Sequence, residues 1–293
     1  MFLLMGFKSV EVNNSKAALL MVFSMLLISA NDVILKLASD DLGVGQLLFI
    51  RGLLASLIFS GVIIASGRPL IPKEGYSFWV VGRAFCETCA TLCFISALVL
   101  LPIATVSTLV WTSPFFLTIL AVIFLSEKVP VARWVALLLG FVGMLLVTNP
   151  FSEAFEMVMV LPLLAAFFVS VRDIVTRKVD INLHSMYITL PTLVCVSAVG
   201  LLLSFGRWQT VEWSHIGWLG LSAVLLCAGF FTQIAAIRCG ELSFVSPFVY
   251  VGVVSAVFWG YVVWGDVPTG LTIVGMLVIV ASSIYVVLRG VRR

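Results

Sequence analysis

Six ionisable side chains fall inside otherwise apolar stretches of the chain: Asp32, Arg51, Arg83, Glu87, Arg172 and Asp173. A charge at the centre of a helix in hydrocarbon costs roughly 2.5–3.5 kcal/mol on insertion scales, so each needs a partner or a task. Arg83 and Glu87 are four residues apart on one helical face, where an intrahelical ion pair can form. The pair either makes insertion tolerable and nothing more, or binds cargo. In the second case Arg83 would meet an anionic group, and Glu87 would accept a proton or a cation. Asp32, Arg51, Arg172 and Asp173 are candidates for gating or charge pairing. Arg51 is placed to pair with Asp32, and Arg172 admits the plainer reading of a charge at the cytoplasmic side.

Other reactive side chains point away from enzyme chemistry. Cys86, Cys89 and Cys93 recur at i, i+3 and i+7 on one helix, which is not the loop spacing of a zinc site. His184 and His215 are far apart, so no metal site and no cofactor is expected. No GxSxG, HExxH or phosphate-binding loop occurs. The reading is a non-enzyme whose charged residues handle a small molecule rather than transform it.

The elements that hold these residues are set by composition. Of 293 residues, 62% are hydrophobic and only 11% charged, with a mean hydropathy of +1.20. Soluble domains are about half apolar and about a quarter charged. The chain is therefore read as an all-α membrane protein, with the lipid bilayer as its surroundings. A net charge of +3 gives no sign of a nucleic-acid partner. A bilayer core of about 30 Å needs roughly 20 apolar residues per helix. Ten stretches qualify, at about 17–38, 44–66, 78–100, 103–125, 132–148, 157–177, 183–205, 214–237, 242–264 and 270–288. Between them stand turn signals such as Asp40-Asp41, Gly67-Arg68-Pro69, Leu101-Pro102, Asn149-Pro150 and Gly265-Asp266-Val267-Pro268. Lys8 and Lys16 ahead of the first apolar run imitate a signal peptide. Cleavage near Ile28-Ser29-Ala30 would remove most of the first span and is not expected.

Lys and Arg cluster in the tails and the even-numbered loops, as at Lys73, Lys128, Arg133, Arg177, Lys178 and Arg238. The odd-numbered loops hold only Arg207, with Lys36 at a helix end, and carry Asp40, Asp41, Glu153, Glu156, Glu212 and Asp266 instead. By the positive-inside rule both termini are expected in the cytoplasm, which requires an even number of spans.

The halves also match at an offset of about 140 residues. Asn31-Asp32-Val33 with Lys36 corresponds to Arg172-Asp173-Ile174 with Arg177, Trp79 to Trp218, Ala97 to Ala236, Trp111 to Tyr250, and Glu127 to Asp266. Five spans per half is an odd number, so the second half would enter from the opposite side. The expected organisation is a cytoplasmic tail (1–16), a first repeat (17–148), a second repeat (157–288) and a cytoplasmic tail (289–293). Ten transmembrane helices arranged as two inverted five-helix repeats is the architecture of many secondary transporters, with cargo bound near the midplane. In that arrangement Trp111 and Tyr250 could sandwich a flat ring, with Thr112, Ser113 and Gln233 orienting it. The plainer reading of the two aromatics is packing or an interfacial belt.

The stretch from Leu101-Pro102-Ile103-Ala104-Thr105 through Ser113-Pro114-Phe115-Phe116 to Leu125-Ser126-Glu127-Lys128-Val129, followed by Gly140 and Gly143, resembles the EamA branch of the drug/metabolite transporter superfamily. The resemblance extends over about residues 17–288. Ser29-Ala30-Asn31-Asp32-Val33-Ile34-Leu35-Lys36 is similar to the first helix of the subgroup that holds S-adenosylmethionine and riboflavin uptake proteins. The second half departs from the pattern, with Asp266 for the acidic Glu and Val253 at the position of Pro114. The resemblance implies a multi-pass transporter of a bacterial inner membrane that moves a small organic metabolite by alternating access. Riboflavin is favoured over S-adenosylmethionine as cargo, and export of amino acids or their derivatives is the alternative. A membrane-embedded enzyme is the remote one. The glycines at 140, 143 and 275 suggest close helix packing. Packing within one chain is preferred, and a homodimer contact is the other option.

Overall fold

The computed structural model describes residues 13–38, 42–72, 76–100, 106, 109–148, 157–180, 183–206, 208–265 and 267–290. The amino tail through residue 12, Asp40-Asp41, Lys73, Leu101-Pro102, Asn149-Pro150, Glu153, Glu156, Asp266 and residues 291–293 lie outside these.

Among the described residues the helical segments follow in this order: α1 (Asn14–Ala38), α2 (Val44–Ala65), α3 (Phe78–Leu100), α4 (Ser113–Leu125), α5 (Val131–Thr148), α6 (Val160–Lys178), α7 (Ser185–Ser204), α8 (Trp213–Cys239), α9 (Leu242–Trp264) and α10 (Gly270–Gly290). No strand occurs among the described residues. Length and composition make six of the spans fit to cross a bilayer: those of α1, α2, α6 (counted from Met157), α7, α8 and α9. The described part of α4 is shorter than the expected 103–125 because most of the stretch before Leu109 is outside the described residues. The ninth span is not one regular helix. Leu242–Val245 is α-helical, Ser246–Tyr250 is 3-10, and Val251–Trp264 resumes the α-helix. Pro247, at the start of the 3-10 stretch, has no N–H to donate to the preceding turn.

Helix ends use local chemistry. Pro114 opens α4, where its missing N–H is not needed. Glu212 and His215 form a reciprocal capping box at the start of α8. The α4 helix ends on Ser126 at φ 54° and α9 on Gly265 at φ 74°, both left-handed. The two caps sit one residue before Glu127 and Asp266, the acidic landmarks of the sequence repeat.

The principal packing partners are α1 with α8, α3 with α6, α2 with α7 and α5 with α10. Next come α4 with α6, α9 with α1, α2 with α8 and α3 with α7. Exchanging each helix for the one five places along carries this set of pairings into itself. Two seams depend on glycine. A Cβ on Gly143 would lie 2.8 Å from the Gly275 carbonyl oxygen, and one on Gly275 would lie 2.6 Å from that of Gly143. In the same way Gly45 and Gly200 let α2 and α7 touch backbone to backbone. The glycines at 140, 143 and 275 each make close contacts within the chain.

At one end of the bundle the halves are tied by side chain to backbone bonds. The Glu127 carboxylate accepts the N–H groups of Leu242 and Ser243 at 2.9 and 3.0 Å, capping α9 from the other half. An acid there also suits the positive end of the helix dipole. Arg133 pairs with Glu241 and donates to the Ser243 hydroxyl at 2.7 Å. Arg177 caps the carbonyls of Ile237 and Arg238, each at 2.8 Å.

Candidate functional site

Asp32 stands on α1, and the other five of the six intramembrane charges lie on α2, α3 and α6, where these pack with α7. Gly52 brings Arg51 there: a Cβ at that position would lie 2.8 Å from the Ser197 Cβ, so only glycine lets α2 lie this close to α7. Arg83 is 1% exposed. Its Nε donates to the Thr176 hydroxyl at 3.0 Å, and a terminal nitrogen donates to the Thr192 hydroxyl at 2.7 Å. Arg172, on α6, donates from Nε to Asp173 at 2.8 Å and pairs with Glu87 on α3 at 2.5 Å.

This arrangement corrects two expectations. Glu87 does not pair with Arg83 along its own helix; it pairs with Arg172 across the two halves. Arg172 is not a loose charge at a membrane face, because it is 4% exposed and bound by two carboxylates. The reason for both is packing. With α3 laid on α6, Arg172 reaches Glu87, and Thr176 one turn along α6 takes Arg83 instead.

Asp32 accepts a bond from the Asn31 amide at 3.0 Å, and Ser222 on α8 donates to Asn31 Oδ1 at 2.6 Å. No ion pair joins Asp32 to Arg51 among the described residues; the two interact only at longer range. Arg51 Nε is buried and has no hydrogen-bond partner. Arg51 borders a narrow cleft of about 40 Å³ together with Glu87, Thr91, Thr192, Leu226 and Phe230. The cleft therefore offers a cation, a carboxylate, two hydroxyls and one aromatic face.

The second group of sequence candidates sits elsewhere. Tyr250 is completely buried against Gly140, where an added Cβ would lie 2.7 Å from the ring, and its hydroxyl has no partner. Trp111 lies against Gly252 and joins the same apolar cluster as Tyr250, Leu137, Met144 and Ile279. In this conformation neither face of Tyr250 is open, so the two rings do not form a sandwich for cargo. The Thr112 hydroxyl donates to the Leu109 carbonyl at 2.6 Å, and the Ser113 carbonyl accepts from Ser170 at 2.9 Å. Gln233 is nearly buried, with Oε1 unpartnered. None of these borders the cleft.

Sequence reasoning did not single out Thr91, Thr176, Thr192 or Phe230. Thr91 carried a usable signal, since it stands four residues after Glu87 on the same helix face. The others could be found only once α6, α7 and α8 were packed against α3 and α2.

A bundle of long apolar helices around buried ion pairs and a polar cleft defines a multi-pass membrane protein. The model of the EamA-like transporter family matches residues 15–149 and again 156–288. The chain thus belongs to the EamA-like transporter family, and it matches that family twice. Among curated proteins, it is 32% identical over 184 residues to the riboflavin transporter of Vibrio cholerae, a match covering 61% of this chain and 60% of that one. Similarity to the pseudopaline exporter of Pseudomonas aeruginosa is 27% over 271 residues, covering 91% and 94% of the two chains. The S-adenosylmethionine uptake transporter of Rickettsia conorii is 24% identical over 269 residues, covering 91% and 90%. A crystal structure at 18% identity superposes with a TM-score of 0.78, covering 95% of this chain and 98% of the other, and shows a shared fold.

Proposed function

We propose that this protein is a secondary carrier of a small organic metabolite in a bacterial inner membrane, working by alternating access. In this reading residues 17–148 and 157–288 are inverted five-helix repeats, both termini are cytoplasmic, and cargo binds between the repeats without ATP hydrolysis. The observation that carries it is the cleft bordered by Arg51, Glu87, Thr91 and Thr192, set among helices from both halves. Support for the inverted repeat comes from helix pairings that map onto themselves when the halves are exchanged, and from the equivalent caps at Ser126 and Gly265.

Uptake of riboflavin, and after it S-adenosylmethionine, is the favoured cargo assignment, supported by the relatives that carry those names. Export is the second reading, supported by the similarity to a pseudopaline exporter along 91% of the chain. Counterflow in proteoliposomes tests both. Vesicles loaded with unlabelled riboflavin or S-adenosylmethionine should transiently accumulate the labelled compound, with saturation. A chemically altered product would indicate an enzyme, and uptake proportional to concentration without saturation would indicate a channel. Comparing right-side-out with inverted membrane vesicles then gives the direction.

A further inference from the structure

Arg51 differs from the other two intramembrane arginines. Arg83 is bound by Thr176 and Thr192, and Arg172 by Glu87 and Asp173. Arg51 has no hydrogen bond and no ion pair among the described residues, although a guanidinium carries five N–H donors. The carboxylates that act on it are elsewhere engaged: Glu87 with Arg172, and Asp32 with the Asn31 amide. A guanidinium in this setting is costly unless something meets it, and its planar fork matches a carboxylate with two parallel hydrogen bonds. The cleft it borders is otherwise lined by the hydroxyls of Thr91 and Thr192, by apolar Leu226 and Phe230, and by the Glu87 carboxylate, whose charge Arg172 balances.

We propose that Arg51 is the anion-recognising residue of the cleft and that the cargo carries a carboxylate, held by Arg51 with help from Thr91. The rest of the cargo lies against Phe230 and Leu226. The proposal rests on the carrier reading above and deepens it. It also moves Arg51 from a gating role to a binding one, and it separates the reading from riboflavin, which has no carboxylate. S-adenosylmethionine does have one.

The test uses the full chain purified in detergent and pairs of probes that differ only in the carboxylate. These are S-adenosylmethionine with its decarboxylated form, tryptophan with tryptamine, and histidine with histamine, with riboflavin as a neutral ring. Thermal stabilisation is titrated for each. At least one carboxylate probe should bind about tenfold or more tightly than its partner. That preference should vanish in Arg51→Gln and partly return in Arg51→Lys. Without any probe, Arg51→Gln should be as stable as the parent chain, because no internal bond is lost, and this separates binding from structure. Equal binding within every pair, binding of riboflavin alone, or no binding by any carboxylate probe would each overturn the proposal. So would a preference that survives in Arg51→Gln. If Arg51→Gln fails to fold, Arg51 is part of the framework and the proposal also falls. Riboflavin counterflow that persists in those cases leaves the carrier reading standing, whereas counterflow absent for every compound removes that reading itself.

Discussion

Glu87 and Arg172 show how much depends on which partner a buried charge finds. Removing one member of a buried ion pair typically costs about 3–5 kcal/mol, because the other is left uncompensated. Arg172→Gln would strand both Glu87 and Asp173, so it should lower unfolding stability in detergent by about that amount. The charge-swapped pair Arg83→Glu with Glu87→Arg should stay inactive, because Arg83 faces hydroxyls and Glu87 faces a cation on α6. Recovery of transport by that swap would mean that the two residues act on each other after all. The positions of all six charges were legible in the sequence, since a charge in an apolar run is conspicuous. Their pairing was not, because spacing of four along a helix shows only the intrahelical option. The choice of Arg172 by Glu87 depends on how α3 lies on α6.

The elements themselves were largely readable. Apolar run length and turn residues placed α2, α3, α7 and α9 within a few residues, because hydrocarbon thickness sets the length and Gly, Pro and Asp mark the ends. What the runs concealed was regularity: Ser246–Tyr250 is as apolar as a helix but tightens to 3-10. The repeat pairs Trp111 with Tyr250 in sequence, yet the use of the rings is decided by Gly140 and Gly252, which open slots for them in the packed core. At the start of α7, His184 caps the helix by accepting the Met186 N–H on Nδ1. Burial, with Arg68 and Arg238 nearby, holds its pKa below the usual 6.5. A group depressed in this way binds protons more weakly folded than unfolded, so its contribution is intact above about pH 6.5 and is lost as pH falls below that. Thermal stability should decline in that window, and His184→Asn, which keeps a capping acceptor without titrating, should reduce the decline. An unchanged pH profile in the variant would assign the acid sensitivity elsewhere.

For the whole molecule the first prediction concerns orientation. With both termini cytoplasmic, reporters active only in the periplasm should give signal when fused after Asp41, Glu153 or Asp266, and none after Lys73 or Lys178. The opposite pattern, or termini on opposite sides, would end the inverted-repeat reading. With both termini cytoplasmic, the tied end of the bundle, where Glu127 caps α9 and Arg177 caps α8, would lie at the cytoplasmic face. That would make the conformation described here closed toward the cytoplasm. Stability measurements on Glu127→Gln would report how firmly that end is held, since the neutral amide keeps an acceptor but loses the charge. A charge-assisted cap is worth roughly 0.3–2 kcal/mol, and loss of at least part of that is expected.

Every principal helix pairing joins one half of the chain to the other: α1 to α8, α2 to α7, α3 to α6 and α5 to α10. This has a consequence for how the protein is made. As the ribosome delivers the chain, α1 to α5 enter the bilayer before any of their main partners exist. They must wait there with Arg83 and Glu87 unmatched until α6 and α7 arrive with Thr176, Arg172 and Thr192. Assembly is then set by synthesis of the second half, and the waiting helices are the stage most exposed to membrane proteases. Two fragments divided between residues 148 and 157 and produced together should find each other and transport, whereas either produced alone should be degraded.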